Sequence, residues 1–285
     1  MAILDARPVT AGQEDSGPAF ADPLELLPGR TAVVTGSTGG LGLAMATAFA
    51  RAGCNVLLNG LDKPEALSPR CAELSESFGV QVDYQEADLS DLTGVEKLVD
   101  AAGERFGRLD ILVNNAVVRH FAPIIDFPVN NWEAALAVNL SAAFHGIRLA
   151  LPGMRERNYG RIFNMTSVYS LRGTVNRVDY VTTKSALLGL TRCVALENLD
   201  YDVTCHSICP GSVRTPGTEV RVQELQDENG MSREDAERAF LEGKQPGAKF
   251  IPTQSVADLL LYLCGPSGRA MTGAMLPVDA GWHAS

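Results

Sequence analysis

The chain has six cysteines and four histidines, and neither set is clustered. The cysteines (54, 71, 193, 205, 209 and 264) form no CxxC pair, and the histidines (120, 145, 206 and 283) make no HxxxH or HExxH grouping, so no metal site is expected. No apolar run approaches the ~20 residues of a bilayer span. The opening MAILDARPVTAGQEDSGPAF has neither the basic start nor the continuous apolar core of a secretory signal, and it is read, to about residue 28, as a flexible N-terminal extension. Positive charge is also scarce. With 24 Lys and Arg against 34 Asp and Glu, the net charge is −10 and the pI about 4.9, which argues against nucleic acid or an anionic membrane as partner. There is no internal repeat. What is left is an ordinary globular composition, 285 residues at 46% hydrophobic and 20% charged, for which a metabolic role in a reducing cytoplasm is the simplest expectation.

From Arg30 onward, short β-branched runs alternate with stretches of helical period. Strands are expected at 31–35, 55–59, 82–87, 109–115, 161–167, 203–211 and 274–279, with helices at 41–52, 64–78, 91–106, 130–157, 178–196 and 255–264. This alternation predicts a single α/β domain from residue 29: a doubly wound, Rossmann-type three-layer fold around a central, mostly parallel seven-stranded sheet. Ligands on such sheets sit beyond the C-terminal ends of the strands. One charged, helix-prone insertion, at about 212–252, follows the sixth strand there and reads either as a substrate lid or as a solvated helical pair.

Thr35-Gly36-Ser37-Thr38-Gly39-Gly40-Leu41-Gly42 follows the first strand and opens the first helix. Its glycines permit a tight turn through which backbone N–H groups approach a pyrophosphate at a helix N-terminus. Farther along, Tyr180 and Lys184 stand one helical turn apart in DYVTTK, and Ser167 ends the fifth strand. Taken alone, the pair reads as a surface helical contact. As chemistry, a tyrosine titrating near ~10 can be drawn toward working pH by a fixed cation and exchange a proton with an alcohol.

Together these motifs resemble those of the short-chain dehydrogenase/reductase family over about residues 28–283. Thr35, Gly36, Gly40 and Gly42 match TGxxxGxG, and Asn114-Asn115-Ala116 matches NNAG as far as the alanine, with Val117 in place of the glycine. The resemblance implies a catalytic set of Asn139, Ser167, Tyr180 and Lys184: Tyr180 as general acid and base, Lys184 lowering its pKa, Ser167 holding the substrate oxygen and Asn139 serving a proton relay. A structural role for Asn139, kinking its helix and satisfying a backbone group, is compatible with the relay. The resemblance further implies a nicotinamide cofactor held by Gly36, Thr38, Gly40, Leu41, Gly42, Asp88, Leu89, Asn115, Tyr180, Lys184, Pro210, Gly211 and Thr215, and assembly as a homotetramer. Asn59-Gly60-Leu61-Asp62-Lys63 at the second strand's end places neither an acid nor a base directly there. NAD is the expected cofactor, with Asp62 a candidate contributor and Lys63 arguing the other way.

Longer runs, among them FGRLDILVNNA, NLSAAFHGIRLALPGMRERNYGRI and EGKQPGAKFIPTQ, resemble the bacterial D-3-hydroxybutyrate dehydrogenases. Where that subgroup grips a small carboxylate, this chain has Arg119, Tyr169 and Arg177. Arginine binds anions through a planar fork, so the expected substrate is a small hydroxy or oxo acid, different from or more strongly anionic than 3-hydroxybutyrate. Arg177 is also readable as a surface residue, Tyr169 as packing against the insertion, and His120, with no partner visible in sequence, as structural. Two other readings share these residues: an NADPH-dependent ketone or 3-oxoacyl reductase, and a nucleotide-sensing scaffold without turnover.

Overall fold

The computed structural model describes residues 27–285. The expected N-terminal extension therefore lies outside the described residues, apart from its last two. Of these, Leu27 is fully buried, and its carbonyl accepts from the Arg30 N–H at 3.1 Å.

Seven strands form one sheet in the order β3-β2-β1-β4-β5-β6-β7: β1 (Thr31–Val34), β2 (Asn55–Gly60), β3 (Val82–Glu86), β4 (Ile111–Asn114), β5 (Gly160–Met165), β6 (Val203–Pro210) and β7 (Met275–Val278). Every pairing is parallel. The strands apart from the edge strand β7 are largely buried on both faces, as a parallel sheet covered by helices requires, and alternate side chains serve opposite layers. Ala32, Val34, Leu58, Ile111, Val113 and Phe163 join the core under α1 (Gly40–Arg51), α2 (Pro64–Phe78) and a later helix, Thr253–Cys264. Val33, Leu57, Leu112 and Ile162 join the core on the other face, against α3 (Leu92–Phe106) and the helices after β4.

Those later helices are α4 (Val129–Leu136), α5 (Ala142–Glu156) and α6 (Val178–Leu196). The single helix expected at 130–157 is one run in space, but its middle, Ala137–Ser141, is wound as a π-helix around Asn139. The run Val129–Glu156 is 28 residues long with a mean hydropathy of 1.4 in its most apolar window, enough by length and composition to cross a membrane. That corrects the expectation that no stretch approaches such a length. Scattered polar residues, Asn139 and His145 among them, hide the span from a search for continuous apolar runs. Ala142, Ile147, Ala150 and Met154 on its inner face pack in the sheet core.

Between β6 and Thr253 the insertion folds as α7 (Pro216–Asn229) and α8 (Arg233–Leu241). Thr215 caps α7 through a reciprocal box with Thr218, and Ser232 caps α8 by accepting the Asp235 N–H at 3.1 Å. The two helices are laced by Arg214–Glu219 at 2.7 Å, Arg214–Glu237 at 3.0 Å, Arg233–Glu237 at 2.7 Å and Arg233–Glu219. At the insertion's base Val213 bridges Ile251, and the buried Gln245 side chain accepts from Ser212 N–H and donates to the Lys249 carbonyl. Helices α9 (Thr253–Cys264) and α10 (Pro266–Arg269) then lead to β7.

Candidate active site

The sheet order reverses direction between β1 and β4, and a crevice of about 530 Å³ opens at the C-terminal ends of the strands on that side. Its floor is the glycine turn. Gly36 has φ +59°, in the left-handed region, and a Cβ on Gly42 would lie 2.3 Å from the Gly36 carbonyl oxygen and 2.7 Å from Asn115 Nδ2, so no side chain fits there. Gly39 caps α1 without a side-chain hydrogen bond, which leaves the helix N-terminus open toward the crevice.

Buried polar groups set this turn. Thr35 Oγ1 donates to the Val113 carbonyl at 3.2 Å and accepts from the N–H groups of Asn115 at 2.8 Å and Ala116 at 2.9 Å. Asn115 Nδ2 donates to the carbonyls of Thr35 at 2.9 Å and Gly36 at 3.0 Å, and Asn59 Oδ1 accepts the Gly36 N–H at 3.2 Å. Asn115 thus staples the turn to the loop after β4. A small uncapped cradle of this kind suits a dinucleotide pyrophosphate. Val117, in the position of the resembled glycine, is absent from the residues with positive φ and lines the crevice, so the backbone there accepts a β-branched side chain.

Lys184 and Tyr180 come from the first turns of α6. Lys184 is 3% exposed, and its ammonium donates to the Met165 carbonyl at the end of β5, at 2.6 Å. Burial, and secondarily the charge of Arg119, lower its pKa from 10.5 to about 7. Its Nζ stands 5.7 Å from the centroid of the Tyr180 ring. Ser167 begins a 3₁₀ turn, Val168–Ser170, in which its hydroxyl accepts the Tyr169 N–H at 3.3 Å. Ser170 Oγ donates to the Lys184 carbonyl at 2.9 Å, and Ser185 Oγ donates back to the Ser170 carbonyl at 3.0 Å, so this turn is stitched to α6. Asn139 lies behind the crevice wall. Its Oδ1 accepts the Val118 N–H at 2.9 Å, and its Nδ2 donates to the Val118 carbonyl at 3.0 Å and Thr183 Oγ1 at 3.2 Å.

The crevice brings together Ser167, Tyr180 and Lys184 with Arg119, Tyr169 and Arg177. It also gathers Gly36, Thr38, Gly40, Leu41, Gly42, Asn115, Pro210, Gly211 and Thr215. Asp88 and Leu89 are not in its lining: Asp88 is exposed and accepts the Ser90 N–H at 2.9 Å, while Leu89 is buried in the core. Arg177 is a pocket residue. Its guanidinium lies over the rings of Tyr180 at 4.4 Å and Phe121 at 4.6 Å, while its Nε and Nη2 are buried with no hydrogen-bond partner. Burial lowers its pKa. Tyr169 stacks edge-on against Tyr180 at 6.5 Å and against Trp282 at 5.3 Å. Sequence reasoning missed Trp282, Phe240 and Lys244, which also line the crevice. Lys244 lies 3.8 Å from the Phe240 ring centroid and donates to the Phe240 carbonyl at 2.5 Å, and its pKa is lowered by burial and then by the charge of Arg177. The signal for Lys244 was its place at the end of an insertion that follows a strand's C-terminal end.

Comparisons with known proteins agree with this geometry. A family description, short chain dehydrogenase, matches residues 30–226. The chain is 39% identical over 259 residues to a D-beta-hydroxybutyrate dehydrogenase of Cupriavidus necator, covering 91% of this chain and 100% of that one. It is 32% identical to a 2-keto-3-deoxy-L-fuconate dehydrogenase of Xanthomonas campestris pv. campestris, covering 91% of this chain and 82% of that one. Among solved structures, an L-sorbose reductase from Gluconobacter frateurii, complexed with NADPH and L-sorbose, superposes with a TM-score of 0.86 at 28% identity, over 91% of this chain and 98% of that one. A family match over more than half the chain, near full-length relatives and a shared seven-stranded fold support one conclusion: the chain belongs to the short-chain dehydrogenase family and is an NAD(P)-dependent oxidoreductase acting on CH–OH groups.

Proposed function

We propose that the protein oxidises a small, strongly anionic hydroxy acid with NAD. The observation that carries this reading is the unpaired cation set beside Tyr180. Arg177 has two buried nitrogens without acceptors, Arg119 and Lys244 line the same crevice, and no carboxylate among the described residues is ion-paired with any of the three. A protein of net charge −10 that concentrates unpaired cations in one cleft is built to receive an anion there. Three cations exceed what one carboxylate neutralises, which favours an acid with a second anionic group over 3-hydroxybutyrate itself. Guanidinium nitrogens left without acceptors are the donors such a group would satisfy.

In this reading Tyr180 takes the alcohol proton, and Ser167 holds the substrate oxygen. The buried Lys184 places an ammonium beside the phenol, favouring its ionised form, and Asn139 serves the relay of the proton to solvent. Gly36, Thr38, Gly40, Leu41, Gly42, Asn115, Pro210, Gly211 and Thr215 hold the dinucleotide, with Asp88 and Leu89 contributing at the adenine end. The cofactor supplies the hydride acceptor for the carbinol carbon. The α7–α8 insertion acts as a lid that carries Lys244 to the substrate.

The preference for NAD is supported by the end of β2. Asn59 is buried and bonded to Gly36 and to the carbonyls of Gln85 and Ala87, and Lys63, the nearest base, pairs with Glu86 at 2.7 Å. The NADPH-dependent reductase reading draws its support from the Gluconobacter frateurii enzyme, which was solved with NADPH. Fluorescence titration with NADH and NADPH separates the two: tighter binding of NADH is expected, and tighter binding of NADPH would overturn the cofactor assignment. The homotetramer belongs to the same reading. Exposed Val129 and Phe144 on the α4–α5 run, with exposed Ile125 in the turn just before it, support an interface there, which sedimentation would test.

The decisive experiment follows NAD reduction with 3-hydroxybutyrate, 3-hydroxyglutarate and the neutral ethyl 3-hydroxybutyrate. The highest kcat/KM is expected for the dianion and the lowest for the ester. A Tyr180→Phe variant is expected to lose about 10³-fold in kcat, the scale of a general acid–base contribution, while still binding NADH. If that variant matched its parent, the scaffold reading would replace this one.

A further inference from the structure

Arg119 is the most exposed of the three crevice cations, yet its chain neighbours are fixed on both sides. Val118 is held through its N–H and its carbonyl by the side chain of Asn139. His120 is held by Asp179: its backbone N–H donates to Asp179 Oδ2 at 3.3 Å, and ring Nδ1 lies 2.9 Å from the same oxygen. The other Asp179 oxygen accepts the Tyr180 N–H at 2.6 Å. Two residues on, the Ala122 N–H donates to the Asn176 carbonyl at 3.2 Å. The His120 ring also packs edge-on against Phe127 at 6.3 Å.

Asp179 is fully buried, and a buried carboxylate is costly unless its oxygens are well supplied with donors. Its place in the first turn of α6 favours a negative charge. That placement does not account for the partner. His120 is 59 residues away in sequence, in the loop that follows β4 and carries Arg119. The link therefore joins the helix that bears Tyr180 and Lys184 to the segment that presents the anion contact.

We propose that the Asp179–His120 pair is the positioning device for Arg119. By pinning the segment 118–122 to the start of α6, it sets where the guanidinium stands relative to Tyr180. It acts on anion binding through Arg119, not on proton transfer. This inference rests on the reading of Arg119 as an anion contact.

The test uses His120, because changing Asp179 would also release the Tyr180 backbone. His120→Leu removes the ring donor, whereas His120→Asn keeps an amide N–H near the Nδ1 position. With NAD saturating, His120→Leu should raise KM for 3-hydroxybutyrate and 3-hydroxyglutarate about tenfold, with kcat within about twofold, the scale of one hydrogen bond to a charged group. Turnover of ethyl 3-hydroxybutyrate should be unchanged, and His120→Asn should restore most of the acid KM. In an Arg119→Ala background, His120→Leu should add nothing. A loss of equal size on acids and ester, or a His120→Leu penalty that persists without Arg119, would overturn the proposal while sparing the anion reading. So would an Arg119→Ala variant that loses acid affinity beside a His120→Leu variant that keeps it. Absence of turnover of either acid, or an unchanged KM in Arg119→Ala, overturns the anion reading and this proposal with it.

Discussion

Arg161 is buried and Arg177 half-buried, one at the N-terminal end of β5 and one at the start of α6 above the strands' C-terminal ends. Arg161 is 2% exposed and fully engaged: Nε donates to the Cys264 carbonyl at 3.2 Å, Nη1 to the carbonyls of Gly160 and Asp202 at 2.9 Å each, and Nη2 pairs with Asp202 at 3.0 Å. Nearby Asp110, fully buried, is likewise supplied by Arg108 at 2.5 Å, by Arg157 at 3.4 Å and by the Thr31 N–H at 3.0 Å. Arg177 has aromatic faces around it and two buried nitrogens with nothing to donate to. A buried donor left unsatisfied costs about 1–3 kcal/mol. Arg161 and Asp110 at the lower end of the sheet are paired by the chain itself, whereas Arg177 at the upper end has no ion-paired carboxylate among the described residues. In the proposed reading, one end serves stability, and the other holds binding capacity at some cost to stability.

The largest effect should come from breaking the satisfied end. Arg161→Ala removes the ion-pair partner of Asp202 and one of two donors to the Cys264 and Asp202 carbonyls, which keep Tyr159 Oη and the Gly160 N–H, and the loss of these bonds to a buried guanidinium costs about 3 kcal/mol. Thermal unfolding should show a Tm lower by roughly 10 °C. Activity per folded molecule should stay close to the parent's, since Arg161 is far from the crevice lining. A large fall in kcat/KM at a temperature where the variant is folded would break the division between the two ends.

Arg177→Ala should give the opposite pattern. Its kcat/KM for 3-hydroxyglutarate should fall about 30-fold, the loss of one or two charge-assisted hydrogen bonds. Its Tm should stay level or rise slightly, because the removed group is a desolvated cation with unpaired donors. If calorimetry found Arg177→Ala as destabilised as Arg161→Ala, the guanidinium would be a structural group like its counterpart.

The same contrast explains what could be read in the sequence. The strands and the doubly wound class follow from alternating β-branched and helical runs, and the glycine turn, Ser167, Tyr180 and Lys184 lie in short contiguous motifs whose spacing has a physical meaning. The α7 and α8 caps at Thr215 and Ser232 are also local. The partners that complete the site are not. Asp179 meets His120, and Lys244 and Trp282 reach a crevice whose other walls are encoded far away, and no spacing rule reports a contact made by the folded chain. The π-wound Ala137–Ser141 stretch was legible only through Asn139: the reading of that residue as kinking its helix and satisfying a backbone group matches its two bonds to the Val118 backbone, although helical periodicity carries no trace of the partner. The order of strands, with its reversal between β1 and β4, likewise depends on packing across the whole sheet.

The last comparison concerns Lys184, which combines both behaviours: it is buried like Arg161 and lowered in pKa like Arg177. Its pKa falls from 10.5 to about 7 through burial and then through Arg119. A lysine depressed in the folded state binds its proton more weakly there than in the unfolded chain. The resulting penalty is fully present below pH ~7 and is relieved as pH rises toward the unfolded value of ~10.5. The hydrogen bond to the Met165 carbonyl offsets part of it at low pH. Lys184→Met removes the titrating group and keeps much of the buried stem, so it should melt above the parent at pH 6, with the gap closing between pH 7 and 10. Adding Arg119→Ala to both proteins should shrink the gap and move its closure to higher pH, because the cation that helps depress the lysine is gone. A gap independent of pH would mean that Lys184 keeps its proton throughout, and that its depressed pKa has no part in the stability of this end of the sheet.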